Sequence, residues 1–194
     1  MLNERERTEI ARLWARKVDQ DARKVPQSER HRNLEPDSAE LVCALAAGIG
    51  ARRAVEIGGS SGISTIALAA AMRATDGRLT SIEIEPSRQA ESKQTLERLG
   101  LARFVDYRLA DAAIVLPGLE EQAFALIDCE KDDYIRFFDM LPVAAGAVVV
   151  ADNILSHDLA AYVAHVRAAP GTESITLGVG KGLEVTRVRG HSLG

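Results

Sequence analysis

Residues 55–69 read VEIGGSSGISTIALA, and this stretch decides the fold. An apolar run closes on glycine, further glycines follow at 59 and 62, and small apolar residues then run on. RRAVEIG (52–58) reads as a short buried strand, and SGISTIALAAAMRAT (61–75) as a helix closed by Asp76-Gly77. Working outward, LTSIEIE (79–85) is a second strand, and Pro86 suits the first turn of the helix after it. FVDYRL (104–109) is a third strand, followed by a helix over 112–121; AFALID (123–128) and AVVVADN (147–153) are the fourth and fifth. A helix near 157–169 stops at Pro170-Gly171. ESITLGV (173–179) and GLEVTRV (182–188) then form an antiparallel hairpin about a Gly-Lys-Gly turn. Continuous apolar strands alternating with helices require a parallel sheet covered on both faces. The expected fold is therefore α/β and doubly wound, a mostly parallel seven-stranded sheet with a C-terminal antiparallel hairpin.

Upstream, Asp37 or Ser38 is placed to cap a helix running through Leu41, Leu45 and Ala46. Residues 1–33 are highly charged, yet Ile10, Leu13, Trp14, Val18 and Val25 recur at near-helical spacing. One amphipathic helix, or two interrupted near Pro26, fits that spacing, as an edge-packed element, a lid or a dimer-forming segment. The organisation expected is a helical segment over 1–33 and one domain over 34–194.

The bulk numbers narrow the function classes. A chain of 194 residues suits one domain, and with 4% aromatic residues its core must rest on Ala, Val, Leu and Ile. A formal net charge of −4 speaks against a nucleic-acid binder, which carries a basic face. Cys43 and Cys129 are too few for a disulfide framework, which fits a reducing cytoplasm. The segment MLNERERTEI lacks the apolar run of a secretory leader, and no apolar stretch reaches the roughly 20 residues that span a bilayer. The expectation is a cytoplasmic, soluble protein with no membrane partner.

In an open parallel sheet, ligands bind beyond the carboxyl ends of the strands. Polar residues crowd those ends: Glu56 and Gly58, Glu83 and Glu85, Asp111, Asp128, and Asp152-Asn153. The first turn, GGSSGIS (58–64), lets a ligand approach the backbone closely and opens a helix N-terminus. A dinucleotide fingerprint needs G-x-G-x-x-G, and Ser60 and Ile63 break it, which disfavours an NAD-dependent oxidoreductase. Glu83 stands about 20 residues past the loop, where an acid binds ribose hydroxyls. Together these features favour an adenosyl ligand without pyrophosphate.

With these residues in view, VEIGGSSGISTIALA resembles the S-adenosylmethionine motif of class I methyltransferases, in the form E-x-G-x-x-x-G. SIEIEP, LIDCEKDDY, VVVADN and GVGKGLEV are similar, in order, to blocks of the cation-dependent O-methyltransferases, the catechol and caffeoyl-CoA group with its small bacterial relatives. The resemblance runs from about residue 34 to 189, with no recognisable match before about residue 32. It implies a Rossmann-like fold and a set of roles. Glu56, the loop Gly58, Gly59, Ser60 and Gly62, and Ser64 would hold the methionine part of S-adenosylmethionine. Glu83 would bind the ribose and Asp111-Ala112 would border the adenine. Asp128, a neighbour of the cofactor, would bind a divalent cation with Asp152 and Asn153. Lys131 would be the catalytic base. A homodimer is also implied.

Elementary chemistry agrees. If the strands ending at Asp128 and Asp152 are neighbours, about 4.8 Å apart, both carboxylates can converge on one cation. Oxygen ligands suit Mg²⁺, or Mn²⁺ or Ca²⁺, rather than zinc. A bound cation lowers the pKa of a coordinated hydroxyl, and a neighbouring lysine can take the proton. A small-molecule acceptor with two adjacent hydroxyls, a catechol or hydroxycinnamoyl compound, would chelate such a centre. Two other readings stay open: a metal-independent methyltransferase in which Asp152-Asn153 only caps a helix, and a module that binds an adenosyl ligand without turnover. Further candidates are His157 at the acceptor pocket, Glu184 near substrate, and Cys129 as a small strand-end side chain. Trp14 and Tyr134 read as packing residues.

Overall fold

The computed structural model describes residues 1–26 and 30–189; positions 27–29, and 190–194 at the end of the expected domain, lie outside the described residues. Seven strands form one sheet: β1 (Arg53–Ile57), β2 (Arg78–Glu83), β3 (Val105–Leu109), β4 (Gln122–Ile127), β5 (Val143–Ala151), β6 (Thr172–Leu177) and β7 (Leu183–Val188). Their spatial order is β3-β2-β1-β4-β5-β7-β6, parallel except where β7 pairs antiparallel with both β5 and β6. The helices are α1 (Glu4–Ala22), α2 (Pro36–Gly48), α3 (Ile63–Thr75), α4 (Pro86–Leu99), α5 (Ala112–Val115), α6 (Tyr134–Met140) and α7 (Ala160–Ala168). This is the doubly wound, Rossmann-like architecture expected.

Both faces of the sheet are covered, and alternate strand residues divide between them. Ala54, Phe124, Leu126, Val148 and Val150 face the layer of α1, α2 and α3, whereas Val55, Ile57, Ala125, Ile127 and Val149 face the layer of α6 and α7. Ten consecutive residues of α3, Ile63–Met72, are buried. Four alanines among them let the helix lie close to the sheet, which is how a core with few aromatics fills its volume.

Several boundaries differ from expectation for local reasons. The helix expected over 112–121 ends at Val115 and gives way to a 3-10 turn, Leu116–Gly118, because Pro117 cannot supply an N–H. α2 is capped by extended Glu35 with Pro36 at its first position, and Asp37 lies inside the first turn rather than at the cap. β2 stops at Glu83, freeing Glu85 to cap α4 by accepting from the Ser87 N–H. β5 begins four residues earlier than expected, with a register shift against β4 near Gly146, and ends at Ala151. The helix expected over 157–169 starts at Ala160 after a turn.

The N-terminal segment forms one helix up to Ala22. Its start is a capping box, the Asn3 side chain accepting from the Glu6 N–H at 3.0 Å and Glu6 from the Asn3 N–H at 2.8 Å. Ile10 and Leu13 are buried in the core beside α2 and α3, but Val18 is exposed. The buried acid Glu6 takes its place as an anchor, paired with Arg73 of α3. No described helix is long and apolar enough to cross a membrane.

Candidate functional site

The register brings the decisive residues to one edge. Ile57 pairs with Ile127, and Ile127 with Ala151, so Gly58, Asp128 and Asp152 follow side by side at the carboxyl ends of β1, β4 and β5. The strand order reverses between β1 and β4, where ligands of such sheets bind. A cavity of about 640 Å³ opens there.

Its floor on the β1–β2 side is the glycine loop. Gly58 has φ +95°, and a Cβ there would sit 2.0 Å from the Asp128 carbonyl oxygen. Ser60 is itself left-handed at φ +45°, tied down by its N–H donating to Glu83 Oε2 at 2.8 Å. Glu83 Oε1 accepts from the N–H groups of Ile84 (2.8 Å) and Glu85 (2.9 Å). Three of the roughly four acceptor positions of this carboxylate are thus filled, and the residue itself lines the cavity. Asp111 caps α5 through the Ala113 N–H at 2.7 Å, and it borders the cavity with Ala112.

Of the residues assigned to the cofactor, Gly58, Ser60, Glu83, Asp111, Ala112 and Asp128 line the cavity. Glu56, Gly59, Gly62 and Ser64 do not; they lie behind the loop and shape it. The Glu56 carboxylate is buried, accepting from Thr65 Oγ1 at 2.5 Å and Ser81 Oγ at 2.6 Å, and burial pushes its pKa up. Gly59 lies over it, since a Cβ there would meet Ser81 Oγ at 2.6 Å and Glu56 Oε1 at 3.0 Å. Gly62, at φ +111°, is the N-cap of α3 and faces Ser92, and Ser64 is buried in the first turn.

The β4–β5 side carries the other chemistry. Asn153, left-handed at φ +66°, donates from Nδ2 to both Asp128 Oδ1 (2.9 Å) and Asp152 Oδ2 (3.0 Å). Asp152 Oδ1 is buried with no hydrogen-bond partner. Burial, with Asp128 alongside, pushes Asp152 up to about 7; Asp128 is raised by burial against the opposing pull of Lys131. Two crowded carboxylates with an unfilled oxygen, met by an amide, fit a hard divalent cation. Among the described residues no three His, Cys, Asp or Glu side chains gather as a metal cage, so a cation here rests on the two carboxylates and the amide. Lys131 donates to Tyr134 Oη (2.8 Å), the Cys129 carbonyl (3.0 Å) and Asp128 Oδ1 (3.5 Å). Tyr134 in turn donates to the Asp152 carbonyl at 3.3 Å, so this buried ring both packs and ties the lysine to the carboxylate pair.

The remaining candidates separate. His157 is exposed and lines the cavity. Glu184 does not reach it: the carboxylate is fully buried against Arg167 of α7 and Ser174 and Thr176 of β6. Cys129 is pushed up to about 12, chiefly by burial, and so stays a thiol. Trp14 packs partly buried against the core. Residues not singled out beforehand close the cavity: Lys17 and Asp21 of α1, Arg32 and Asn33, Ile84 and Lys181. The Arg32 N–H donates to Ser60 Oγ at 3.3 Å and Ser61 Oγ to Asn33 Oδ1 at 3.0 Å, which pins the N-terminal segment onto the glycine loop. Only the tertiary fold brings Lys17, Asp21, Arg32 and Asn33 there. Lys181 did lie in the quoted Gly-Lys-Gly turn.

Comparison with known proteins places this geometry. A family model described as O-methyltransferase matches residues 13–177, reaching into α1 and so further upstream than the motifs alone did. A catechol O-methyltransferase of Mycobacterium tuberculosis is 32% identical over 126 residues, covering 63% of this chain and 57% of its own length. One from Niastella koreensis is 29% identical over 130 residues, covering 63% and 58%. The chain thus spans somewhat over half the length of these relatives. Among solved structures, the O-methyltransferase TomG of Streptomyces achromogenes, involved in tomaymycin synthesis and in complex with SAM, superposes with a TM-score of 0.79 at 23% identity, covering 98% of this chain and 92% of that one. The Bacillus cereus O-methyltransferase in complex with SAH does so at 0.79 and 20% identity, covering 97% and 93%. Those two likenesses establish the fold. Because the family model matches residues 13–177, most of this chain, the chain belongs to the O-methyltransferase family.

Proposed function

We propose that this protein transfers a methyl group from S-adenosylmethionine to a hydroxyl of a catechol-like or hydroxycinnamoyl acceptor. The observation that carries this reading is the meeting of Asp128, Asp152, Asn153 and Lys131 in the cavity that Glu83 and the glycine loop also line. Glu83 offers its remaining acceptor position to the ribose, with Asp111 and Ala112 beside the adenine. Gly58 and Ser60 present backbone to the methionine part, while Glu56, Gly59, Gly62 and Ser64 keep the loop in shape.

Asp128, Asp152 and Asn153 would hold a divalent cation, Mg²⁺ first, with Mn²⁺ and Ca²⁺ as alternatives; the amide would turn its oxygen to it. Such an ion lowers the pKa of a coordinated hydroxyl and orients it. Lys131, as the neutral amine, would take the hydroxyl proton, and the ammonium so formed is the one that donates to Tyr134 Oη, the Cys129 carbonyl and Asp128 Oδ1. Residues 1–33 act as the cavity's lid, a role supported by the pinning of Arg32 and Asn33 onto the loop. The reading further includes a cytoplasmic protein that pairs as a homodimer and handles neither nucleic acid nor membrane.

The test is S-adenosylhomocysteine formation from S-adenosylmethionine with catechol and caffeoyl acceptors, in Mg²⁺ and in EDTA. Turnover lost in EDTA and in Asp152→Ala supports the reading. One observation favours a second one: Asn153 Nδ2 already bridges both carboxylates, as a purely structural pair would require. Turnover indifferent to EDTA would select that metal-independent methyltransferase.

A further inference from the structure

The mouth of the cavity beyond the carboxylate pair lacks the apolar walls that usually grip an aromatic ring. Phe137 is the one Phe, Tyr or Trp among the described cavity-lining residues, and it belongs to the apolar cluster with Ala112, Leu116 and Tyr134. Nitrogen-bearing side chains stand at the mouth instead: Arg32 from the N-terminal segment, His157 after the Asp152-Asn153 turn, and Lys181 from the β6–β7 hairpin.

Lys181 is the most firmly placed of the three. Its turn holds Gly180 at φ +57° and Gly182 at φ +90°. A Cβ at Gly180 would fall 2.4 Å from Ser38 Oγ, and one at Gly182 would fall 2.4 Å from the Leu155 side chain, so the turn is pressed flat against both neighbours. Three hydrogen bonds fix its backbone: Lys181 N–H to Glu35 Oε2 (2.9 Å), Leu155 N–H to the Lys181 carbonyl (2.8 Å) and Ile154 N–H to the Gly182 carbonyl (3.0 Å). The last two come from the residues directly after Asn153. The ammonium lies 3.3 Å from Glu35 Oε1, yet over a third of the side chain stays open to solvent. Its charge is felt at both Asp128 and His157. Arg32, similarly open, pairs with the largely exposed Glu130, a partner that solvent can replace.

We propose that Lys181, assisted by Arg32, binds a carboxylate on the methyl acceptor, making the preferred substrate a dihydroxyaromatic acid rather than a neutral catechol. This deepens the function proposed above and rests on it. A carboxylate gains charge-assisted hydrogen bonds from an ammonium whose backbone is already immobile, so little ordering is left to be done on binding. The lysine acts on acceptor choice and stands apart from the proton transfer assigned to Lys131.

The experiment is calorimetric binding to the full chain with S-adenosylhomocysteine and Mg²⁺ present. The probes are 3,4-dihydroxybenzoate, 3,4-dihydroxycinnamate, the methyl ester of each, and catechol. At least one acid is expected to bind about tenfold tighter than its own ester, the scale of one charged hydrogen bond. Lys181→Gln should erase that preference while leaving ester affinity within about twofold, and Lys181→Arg should keep most of it. Arg32→Gln, which leaves the hairpin untouched, should reduce it in part. Equal binding of acids and esters, or an acid preference that survives Lys181→Gln, overturns the proposal. Methyl transfer to catechol under the same conditions tells the failures apart: turnover without acid preference removes this inference alone, and absence of both binding and turnover removes the acceptor reading with it.

Discussion

The two halves of the cavity solve their polar bookkeeping in opposite ways. On the β1–β2 side, Glu83 already accepts three backbone N–H groups, and Glu56 takes two hydroxyls behind the loop. On the β4–β5 side, Asp152 keeps a buried oxygen without a partner and is held near neutrality, with Asp128 raised beside it. On the first half the acid that lines the cavity, Glu83, is already held by backbone, and the unpartnered carboxylate oxygen, Glu56 Oε2, is shut behind the loop, away from the ligand space. The second is electrostatically incomplete, and a cation would complete it. On the function proposed, donor recognition would rest on preformed backbone, and acceptor activation on charge brought from outside.

Four measurements can break or sharpen that contrast. Asp152→Ala should cost the largest factor, about a thousandfold in kcat/KM for a catechol acceptor, with S-adenosylmethionine affinity retained. An equal loss in both quantities would mean that the halves are not separable. Gly58→Ala should lower stability by about 2–4 kcal/mol in urea unfolding, because its Cβ meets the Asp128 carbonyl and φ is +95°. That variant should damage both halves, since it sits on their shared wall; wild-type stability would show that the loop can move aside.

Glu83→Gln should raise the KM for S-adenosylmethionine about tenfold with a smaller change in kcat, as an amide N–H would be set against backbone donors. An unchanged KM would end the idea that the first half is preformed around this carboxylate. The smallest effect expected is on melting. Mg²⁺ at ~100 times its Kd should raise the midpoint of the wild type by about 5 °C and leave Asp152→Ala unmoved. A shift of equal size in both proteins would place the ion elsewhere.

Much of this arrangement is legible in the amino acids, and the reasons are specific. The fourth and fifth strands announce themselves because AFALID and AVVVADN are apolar runs that end in an acid. The glycine turn and the acids at strand ends follow from the same pattern, since parallel strands deliver their carboxyl ends to one edge. What escapes is whatever depends on a neighbour distant in sequence. Val18 matches the helical spacing of Ile10 and Leu13, but nothing in the core reaches it, and Arg73 calls Glu6 inward instead. Glu184, beside a glycine-rich turn, resembles a site residue until Arg167 is seen to cover it. Arg32 and Lys181, about 150 positions apart, both line the cavity, and the hairpin turn that carries Lys181 packs against Glu35 and Ser38 at the start of α2. Glu56, Gly59, Gly62 and Ser64, read as holding the cofactor, form the loop or flank it from β1 and α3, and none of the four lines the ligand space.

α3 carries a further consequence. A helix with ten successive residues out of contact with water works mechanically as a strut clamped along its length. Each added methylene along it must push on a neighbour, at a cost of about 1–3 kcal/mol. Drift in this lineage is therefore expected to bypass the strut and to gather at the cavity mouth, on side chains such as Arg32, His157 and Lys181 that stay open to solvent. The helix that begins at the glycine loop would then stay still while the rim is rewritten around it, allowing new acceptors without a new engine.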